Sequence, residues 1–478
     1  MSSLDFLKPF TGMLPEVKPP QFMPSLQERL MWTVIALVAF FVMYNTIAVG
    51  VLFKSGSTDF LQVVTASMPG SLITTGIGPI VLASIFLQLF VGAKIIDMNL
   101  QDPEQRATFH GVQKLLGIVL SFVEAALFVI FSRVSVVDPP LFGSIAATQA
   151  IVILQIALGS IILLYLDEII SKYGIGSGIS LFIAAGVSFS VMGGAWDLFT
   201  SSSGTIAALT AGGADAIPNA LMSLMPLFFT FVVFLSVVYA EGIKVEIPLA
   251  FEKARGLGGR FPIKFLYVSN IPVILASALL LNVQFMAAAL ADKSQGVATG
   301  AILGIKELGV VSNGQVIDGL TYLIMPIYRS LGGGNFLAHI ENVFFATTPI
   351  FGIPGWVHVI TYMVFLMVIC VVFGWFWVET TGMGPHEVAE QLQSSGLQIP
   401  GFRRDPRVVE KVLEKYIPAI VVLGSAFVGI LSGVADMTGA LGTGTGILLT
   451  VGILYKLYEE LEARRTFDLY PQLAGMLG

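Results

Sequence analysis

The chain has 478 residues, of which 55% are hydrophobic and only 12% are charged. A soluble globular protein carries about 25% charged residues, so this composition excludes an ordinary soluble domain. The net charge of −6 does not set membrane orientation, which depends on where Lys and Arg lie. Cys370 is the single cysteine, which excludes an intrachain disulfide and a cysteine-based metal site.

The first 21 residues contain four prolines and no apolar run, so we expect no cleavable signal peptide there. Ten apolar segments follow, each long enough to cross the hydrocarbon core, which takes about 20 residues in a helix. We predict membrane spans at 30–52, 71–93, 109–132, 145–167, 177–196, 217–240, 264–284, 356–379, 417–435 and 444–462.

The basic residues predict the orientation of these spans. If the N-terminus is cytosolic, 20 of the 25 Lys and Arg residues fall on the cytosolic side and five on the external side. Because basic loops stay in the cytoplasm, we predict a multi-pass membrane protein with both termini cytoplasmic. The predicted organisation is a cytosolic segment at 1–29, the first five spans and the sixth at 30–240, a cytosolic loop at 241–264, the seventh span, an external loop and the eighth span at 264–379, a second cytosolic loop at 380–416, and the last two spans with a tail at 417–478.

Two further segments are too short to cross the membrane. Residues 57–68 lie between an outward and an inward span, which favours either a short re-entrant helix or an external amphipathic loop. The external stretch 285–355 contains an apolar run around Leu320–Tyr328, for which we predict a surface-packed helix.

The chain contains an internal repeat. The run Pro79–Ser84 in the second span recurs as Pro272–Ser277 in the seventh, and the glycine-rich motif Gly174–Leu181 of the fifth span recurs as Gly442–Leu449 of the tenth. Partners five spans apart cross the membrane in opposite directions, which indicates an inverted duplication. We therefore predict an all-α integral membrane fold of ten transmembrane helices in two inverted, pseudo-symmetric halves of five, with residues 57–68 as either a short re-entrant helix or an external loop.

Two inverted halves enclose a path along their interface, and the residues on that path indicate what passes. A secondary transporter of small solutes, the alternative function, needs buried polar groups, yet Glu124 is nearly the only ionisable residue away from the span ends. The repeats instead carry aliphatic residues one helical turn apart. These could form an apolar constriction or simply pack helices together, and they are Ile77, Val81, Ile179, Ile183, Ile274 and Leu449.

An enzyme would need an assembled catalytic set, and the sequence contains none. No Gly-Lys dipeptide occurs, which excludes a Walker A loop. The four histidines have no metal-ligand spacing. We predict neither catalysis nor a cofactor nor a metal.

Across all ten spans the chain resembles the SecY family, the large subunit of the Sec translocon, and is more similar to archaeal members than to bacterial ones. The motifs that carry the resemblance are specific in combination. They are Gly76–Val81, Gln113–Leu116, Gly174–Ile179, Lys244–Pro248, Tyr267–Ile274, Val378–Gly382, Ile399–Arg403 and Gly444–Leu449.

This resemblance implies a channel for unfolded secretory polypeptides that also releases transmembrane segments sideways into lipid. The six aliphatic residues would form its pore ring. The segment after the first span would form a plug on the external side of the ring. Its residues are Thr58, Asp59, Phe60, Leu61, Gln62, Val63, Val64, Thr65, Ala66 and Ser67.

The resemblance also implies a lateral gate between the second and third spans and the seventh and eighth. Glu124 and Asn270 match polar gate positions, although they could equally serve as simple interhelical hydrogen-bonding groups. Leu82 stands where many relatives carry Thr, and Ser84 lies nearby.

The two cytosolic loops are large and charged, which usually means solvated connections. In the family they dock the ribosome or a motor protein, and the matching residues here are Lys244, Arg255, Arg260, Arg403 and Arg404. The implied partners are SecE-like (gamma) and Sec-beta-like subunits, the ribosome, nascent secretory and membrane polypeptides with signal sequences, and membrane lipids.

Overall fold

The computed structural model describes the chain except for residues 1–8, 10–11, 23, 53–65, 93–94, 97, 99–101, 131–135, 138, 142, 202–203, 214, 252–257, 292–298, 313–314, 328–335, 395–396, 399–405 and 470–478. In the described part, ten helices occupy the positions of the ten predicted spans, and three shorter helices connect them. The helices are α1 (Leu26–Asn45), α2 (Gly78–Gly92), α3 (Pro103–Ile130), α4 (Ile145–Tyr173), α5 (Gly178–Thr200), α6 (Thr205–Ala211), α7 (Ala216–Gly242), α8 (Ile271–Ala289), α9 (Phe336–Phe345), α10 (Gly355–Thr381), α11 (Pro385–Ser394), α12 (Pro406–Met437) and α13 (Gly444–Leu469).

Among the described residues, eight helices are long and apolar enough to cross a membrane by length and composition. The two other predicted spans are α2, which has only 15 residues, and α13, whose second half is charged. α2 is short because residues 71–77, predicted as part of the span, form an irregular segment before it. The prediction of ten spans therefore corresponds to α1–α5 in the first half and to α7, α8, α10, α12 and α13 in the second.

Local sequence signals set several helix ends. Ser25 and Glu28 form a capping box at the start of α1, so that two backbone N–H groups at this end gain hydrogen bonds. Ser144 caps α4 by accepting a hydrogen bond from the backbone N–H of Ala147. α10 ends at Gly382, whose left-handed backbone (φ 66°) favours glycine.

The inverted repeat is visible in how the last helix of each half begins. In the first half, the Asp167 carboxylate at the end of α4 accepts a hydrogen bond of 2.8 Å from the backbone N–H of Ile179 in α5. In the second half, the Asp436 carboxylate at the end of α12 accepts one of 2.8 Å from the backbone N–H of Gly444 in α13. Both aspartates therefore satisfy free N–H groups at a helix N-terminus and complement its dipole.

The repeated glycines allow these close approaches. A Cβ on Gly178 would lie 2.6 Å from the Cα of Asp167, and a Cβ on Gly444 would lie 2.2 Å from the Cβ of Ala435. Both distances are far below van der Waals contact. The glycine-rich motifs are thus packing elements of a membrane bundle, where small residues bring helices together.

The two halves pack against each other around one large apolar cluster. It contains the fully buried Phe40 and Phe182 of the first half and Tyr362 of the second. α5 contacts α13 across the interface, and α2 contacts α8 and α10. The core of the protein therefore lies between the halves.

A three-stranded sheet on the predicted cytosolic side joins the two charged loops. β1 (Lys244–Phe251) pairs antiparallel with β2 (Gly258–Lys264), and its far end pairs with β6 (Leu397–Gln398) of the second loop. The sequence predicts these segments only as two large, charged cytosolic loops. The structure instead unites 241–264 with 380–416.

The external loop contains a second antiparallel sheet of β3 (Thr299–Ile302), β4 (Ile305–Ser312) and β5 (Gln315–Asp318). The surface helix predicted around Leu320–Tyr328 was wrong: the described part of this run contains only a 3-10 turn, Tyr322–Ile324. The nearby helix is α9, further along the chain. The apolar residues of the loop pack under the sheet in a small core of their own, which includes Val311 and Val316.

Asp318, at the end of β5, fastens this sheet to the turn before α10. Its fully buried carboxylate accepts hydrogen bonds from the backbone N–H groups of Gly319, Ile350 and Phe351, at 2.8, 2.7 and 2.9 Å. Burial alone would raise the pKa of Asp318, but these hydrogen bonds hold it below the ordinary aspartate value.

We predict that Asp318→Asn lowers the free energy of local opening of strands β3–β5 by about 2 kcal/mol at neutral pH, because the amide offers one acceptor oxygen where the charged carboxylate offers two. Since the folded-state pKa is depressed, this stabilisation is present above the unfolded pKa and is lost as the pH falls through the folded one. Hydrogen exchange at neutral and acid pH measures both effects. Glu307→Gln, at an exposed residue of β4, is the matched control, and equal opening in both variants would contradict the role of Asp318.

Candidate functional site

All six aliphatic residues singled out from the sequence belong to the apolar cluster between the halves. Ile77, Ile183 and Leu449 are completely buried, and Val81, Ile179 and Ile274 are partly buried against the same cluster. They are contributed by the segment before α2 and by α2, α5, α8 and α13, so both halves supply them. Helix packing in one half alone would not gather this set.

Ile77 is positioned by hydrogen bonds from a neighbouring helix. The hydroxyl of Ser160 in α4 hydrogen-bonds the hydroxyl of Thr75 and donates to the backbone carbonyl of Gly76 at 3.1 Å. Gly76 has a left-handed backbone (φ 56°), which turns the chain into α2 at Gly78. Ile77 therefore lies at the end of the irregular segment 71–77, which Ser160 holds by hydrogen bonds just before α2 begins.

Ile179 is positioned by the Asp167 cap, because its own backbone N–H is the donor. One turn later in α5, Ile183 lies in the core beside Phe182, which stacks on Phe40 of α1 at a centroid distance of 5.1 Å. The hydrogen bond to Asp167 of α4 fixes where α5 begins, and this sets the positions of Ile179 and Ile183.

The predicted plug lies mostly outside the described residues: Thr58, Asp59, Phe60, Leu61, Gln62, Val63, Val64 and Thr65 are not described. Its last two residues, Ala66 and Ser67, are both buried. A Cβ on Gly186 of α5 would lie 3.2 Å from the Cα of Ala66, so the segment contacts α5 about one turn beyond Ile183. The end of the segment therefore lies next to the aliphatic residues, on the side away from the start of α5.

The seam between α2 on one side and α8 and α10 on the other contains a small, mainly apolar crevice. Its walls come from both halves. The lining residues are the apolar Ile85, Leu89, Leu275, Phe373, Phe376 and Trp377 and the polar Gln88 and Thr380.

Glu124 lies on α3, is 4% exposed, and its Oε2 has no hydrogen-bond partner among the described residues. Its neighbour Ala125 packs in a cluster with Phe128 and with Leu281 of α8. Glu124 is therefore at the level of the middle of α8.

Asn270 does not meet Glu124. It precedes α8 and donates a hydrogen bond of 2.9 Å from its Nδ2 to the backbone carbonyl of Leu448 in α13. Leu281 lies 11 residues further along α8, roughly 16 Å at 1.5 Å per residue. Glu124 and Asn270 therefore lie at different levels along α8. The match to the gate rested on residue type, which does not specify the level at which a residue lies.

The sequence reasoning missed two polar residues. Asn282 lies next to Leu281 and donates to the carbonyl of Ala278 at 2.8 Å, so it is the amide of α8 at the level of Glu124. Glu241 was assigned to a solvated loop but is 4% exposed at the end of α7. Counting every amide in the seventh span would have found Asn282, whereas the burial of Glu241 has no local signal.

The basic residues predicted to bind a partner lie on or near the cytosolic sheet. Lys244 begins β1 and is exposed, and Arg260 in β2 pairs with Pro248. Arg255, Arg403 and Arg404 lie outside the described residues. Lys264 at the end of β2 forms an ion pair with Glu459 of α13, which ties the sheet to the last helix.

Comparison with known proteins gives a consistent result. The SecY family model matches residues 71–458. The protein translocase subunit SecY of Methanocaldococcus jannaschii is 43% identical over 98% of this chain and 99% of its own length. SecY of Methanococcus vannielii is 41% identical over 99% of both chains.

Solved structures agree. One described as a protein-conducting channel superposes with a TM-score of 0.78 at 42% identity, covering 97% of this chain and 98% of its own. A Sec61 structure from a canine ribosome-channel complex of the endoplasmic reticulum has a TM-score of 0.76 at 41% identity, with the same coverage. A family model across most of the sequence and relatives above 40% identity along its whole length show that this chain, a multi-pass membrane protein, belongs to the SecY family of protein-translocation channels.

Proposed function

We propose that this chain is the central pore-forming subunit of a Sec channel and that unfolded secretory polypeptides pass through a ring of Ile77, Val81, Ile179, Ile183, Ile274 and Leu449. The observation that carries the proposal is that these six residues, from both inverted halves, share one apolar cluster. The passage lies where the halves meet.

An apolar ring suits a cargo of arbitrary sequence. A translocating polypeptide presents every kind of side chain, and a ring with fixed hydrogen-bonding groups would retain some of them. Aliphatic side chains leave no polar group unsatisfied when the cargo moves on. In the resting channel the same ring keeps water and ions out by dewetting.

The segment 58–67 serves as the plug on the external side of the ring. The support is the contact of Ala66 with Gly186, about one turn from Ile183. Displacing this short segment costs little packing compared with moving a whole helix.

The lateral gate is the seam between α2–α3 and α8–α10. The crevice there is lined mainly by apolar residues of both halves, so an apolar segment entering it remains in contact with side chains and lipid. Burial of its surface in lipid contributes about 25 cal/mol per Å². Glu124 provides the polar group on the α3 side, where a less apolar segment finds a hydrogen-bonding partner.

The cytosolic sheet and its two loops, 241–264 and 380–416, form the docking face for a ribosome, with Lys244, Arg255, Arg260, Arg403 and Arg404 as contacts to rRNA phosphate. A relative of 41% identity comes from a ribosome-channel complex, which supports this partner. SecE-like and Sec-beta-like subunits complete the assembly in the plasma membrane. Both termini, including the segment 1–29 and the end of 417–478, are cytoplasmic.

We predict that Ile183→Ser raises the ion leak of the resting channel in liposomes severalfold, because a hydroxyl in the ring lets water wet the constriction. Ile77→Ser is expected to do the same. The matched control is Ile360→Ser, at a position of α10 that is 53% exposed. A ring variant as tight as Ile360→Ser would contradict the ring assignment.

We also predict that a translocating chain stalled by a bulky C-terminal domain crosslinks to photoreactive groups placed at Ile77 and Ile274. A group at Ile360 is expected to give no crosslink to a soluble secretory segment, since Ile360 is 53% exposed and does not belong to the apolar cluster between the halves. Uptake of a small solute without such crosslinks would instead favour a secondary transporter.

Charge reversal of Arg255 and Arg403 is expected to weaken ribosome binding at moderate salt. It should also make the slope of the logarithm of the binding constant against the logarithm of the salt concentration shallower, by about 1 for each phosphate that is no longer neutralised. Co-sedimentation of ribosomes with reconstituted channels over a salt series measures both effects. Lys306→Glu, in the external sheet, is the control for net charge. Unchanged binding by the double arginine variant would refute the docking face.

A further inference from the structure

Asn270, Glu241 and Gly452 form a buried polar junction where the end of α7, the start of α8 and the middle of α13 meet. Asn270 and Glu241 are each 4% exposed. Within the described part of the chain, the Oδ1 of Asn270 and the Oε1 of Glu241 have no hydrogen-bond partner. Such groups are costly to bury, so their retention calls for an explanation.

Gly452 is the residue that makes the junction possible. A Cβ at this position would lie 1.8 Å from the Nδ2 of Asn270 and 3.2 Å from the Oε1 of Glu241. The Asn270 amide therefore presses directly on the α13 backbone, where it donates to the Leu448 carbonyl at 2.9 Å. Any side chain at position 452 would push Asn270 away.

The junction touches the ring on two sides. Leu448 immediately precedes the ring residue Leu449 on α13. Asn270 lies one turn before the ring residue Ile274, whose backbone N–H donates to the Asn270 carbonyl at 3.2 Å. One amide thus connects the turn that carries Ile274 with the turn that carries Leu449.

In the internal repeat, Asn270 occupies the position of a ring residue of the first half. Aligning Pro79 with Pro272 superposes Val81 on Ile274, and it superposes Ile77 on Asn270. The first half therefore has the ring residue Ile77 at the position where the second half has Asn270, whose amide hydrogen-bonds the neighbouring helix α13. A side chain used only for packing would be aliphatic in both halves.

We infer that Asn270 is a positioning residue of the ring: together with Gly452 it locks α8 to α13 and so sets how tightly Ile274 and Leu449 close the resting channel. This inference rests on the proposed function. It assigns to Asn270 a role at the α13 contact, distinct from the gate seam.

An alternative role for Asn270 is to cap α8, since it stands at the N-cap position, although its side chain makes no capping hydrogen bond to the described residues of that helix. The substitutions Asn270→Asp and Asn270→Leu separate the two roles. Aspartate is as good an N-cap as asparagine, whereas leucine is a poor one. Both remove the N–H donor to Leu448, one with a charge and one without.

The experiment compares the resting ion leak and the thermal unfolding temperature of the full-length chain reconstituted in liposomes. Removal of one buried hydrogen bond shifts a closed-open equilibrium by about tenfold, so Asn270→Asp and Asn270→Leu should each raise the leak about tenfold. Gly452→Ala should raise it as much, because the methyl group displaces Asn270. The double variant Asn270→Ala/Gly452→Ala should leak no more than Asn270→Ala or Gly452→Ala alone, since no amide remains for the methyl group to displace.

Gly193→Ala, at a helix glycine of α5 with no described atom within 4 Å of its Cβ position, should leave the leak unchanged. A sealed Asn270→Asp channel, or a leak from Asn270→Leu alone with a lowered unfolding temperature, would overturn the inference in favour of a capping role. Ile183→Ser serves as the reference: if it leaks and the Asn270 and Gly452 variants do not, only the positioning role fails. If none leaks, the ring itself is refuted.

Discussion

The apolar contact between two inverted halves is the constraint on which the rest of the structure depends. Around the apolar cluster between the halves, hydroxyl side chains form hydrogen bonds with one another and with the backbone. The hydroxyls of Thr75 and Ser160 bond each other in the first half, and those of Ser432 and Thr445 do so in the second. Each of these hydrogen bonds connects two elements of the same half.

Hydropathy and the internal repeat were enough to predict the ten helices and their inverted arrangement, because both are visible in local composition or in motif spacing. The family was predicted from a combination of specific motifs, such as Gly76–Val81 and Gly444–Leu449. Helix ends were less accessible. α3 begins at Pro103 and α12 at Pro406, before the predicted spans, since a helix continues beyond the membrane when its polar turns pack on protein. α2 begins late because Ser160 holds the preceding backbone in a turn, which is a tertiary contact.

Apart from Asn282, the features that sequence reasoning missed depend on distant contacts. The pairing of Ala250 with Gln398 joins strands from separate loops, and a two-residue strand has no signature of its own. The external sheet is stabilised by its own small core and by Asp318, whose partners Ile350 and Phe351 lie more than 30 residues away. Asn270 was matched by residue type, but its contact with Leu448 is set by how α8 meets α13.

The two halves share a backbone plan but use it unequally, and this inequality follows from the task of a closable channel. The aspartate caps, Asp167 and Asp436, are common to both, since each half must anchor its last helix. The helix that carries the second-span repeat is treated differently: α2 is held at its start by Ser160 of its own half, whereas α8 is held through Asn270 to α13. A seam that opens toward lipid needs each of its sides to move as a unit. α2 is fastened within the first half and α8 within the second, and the crevice between them is lined mainly by apolar residues.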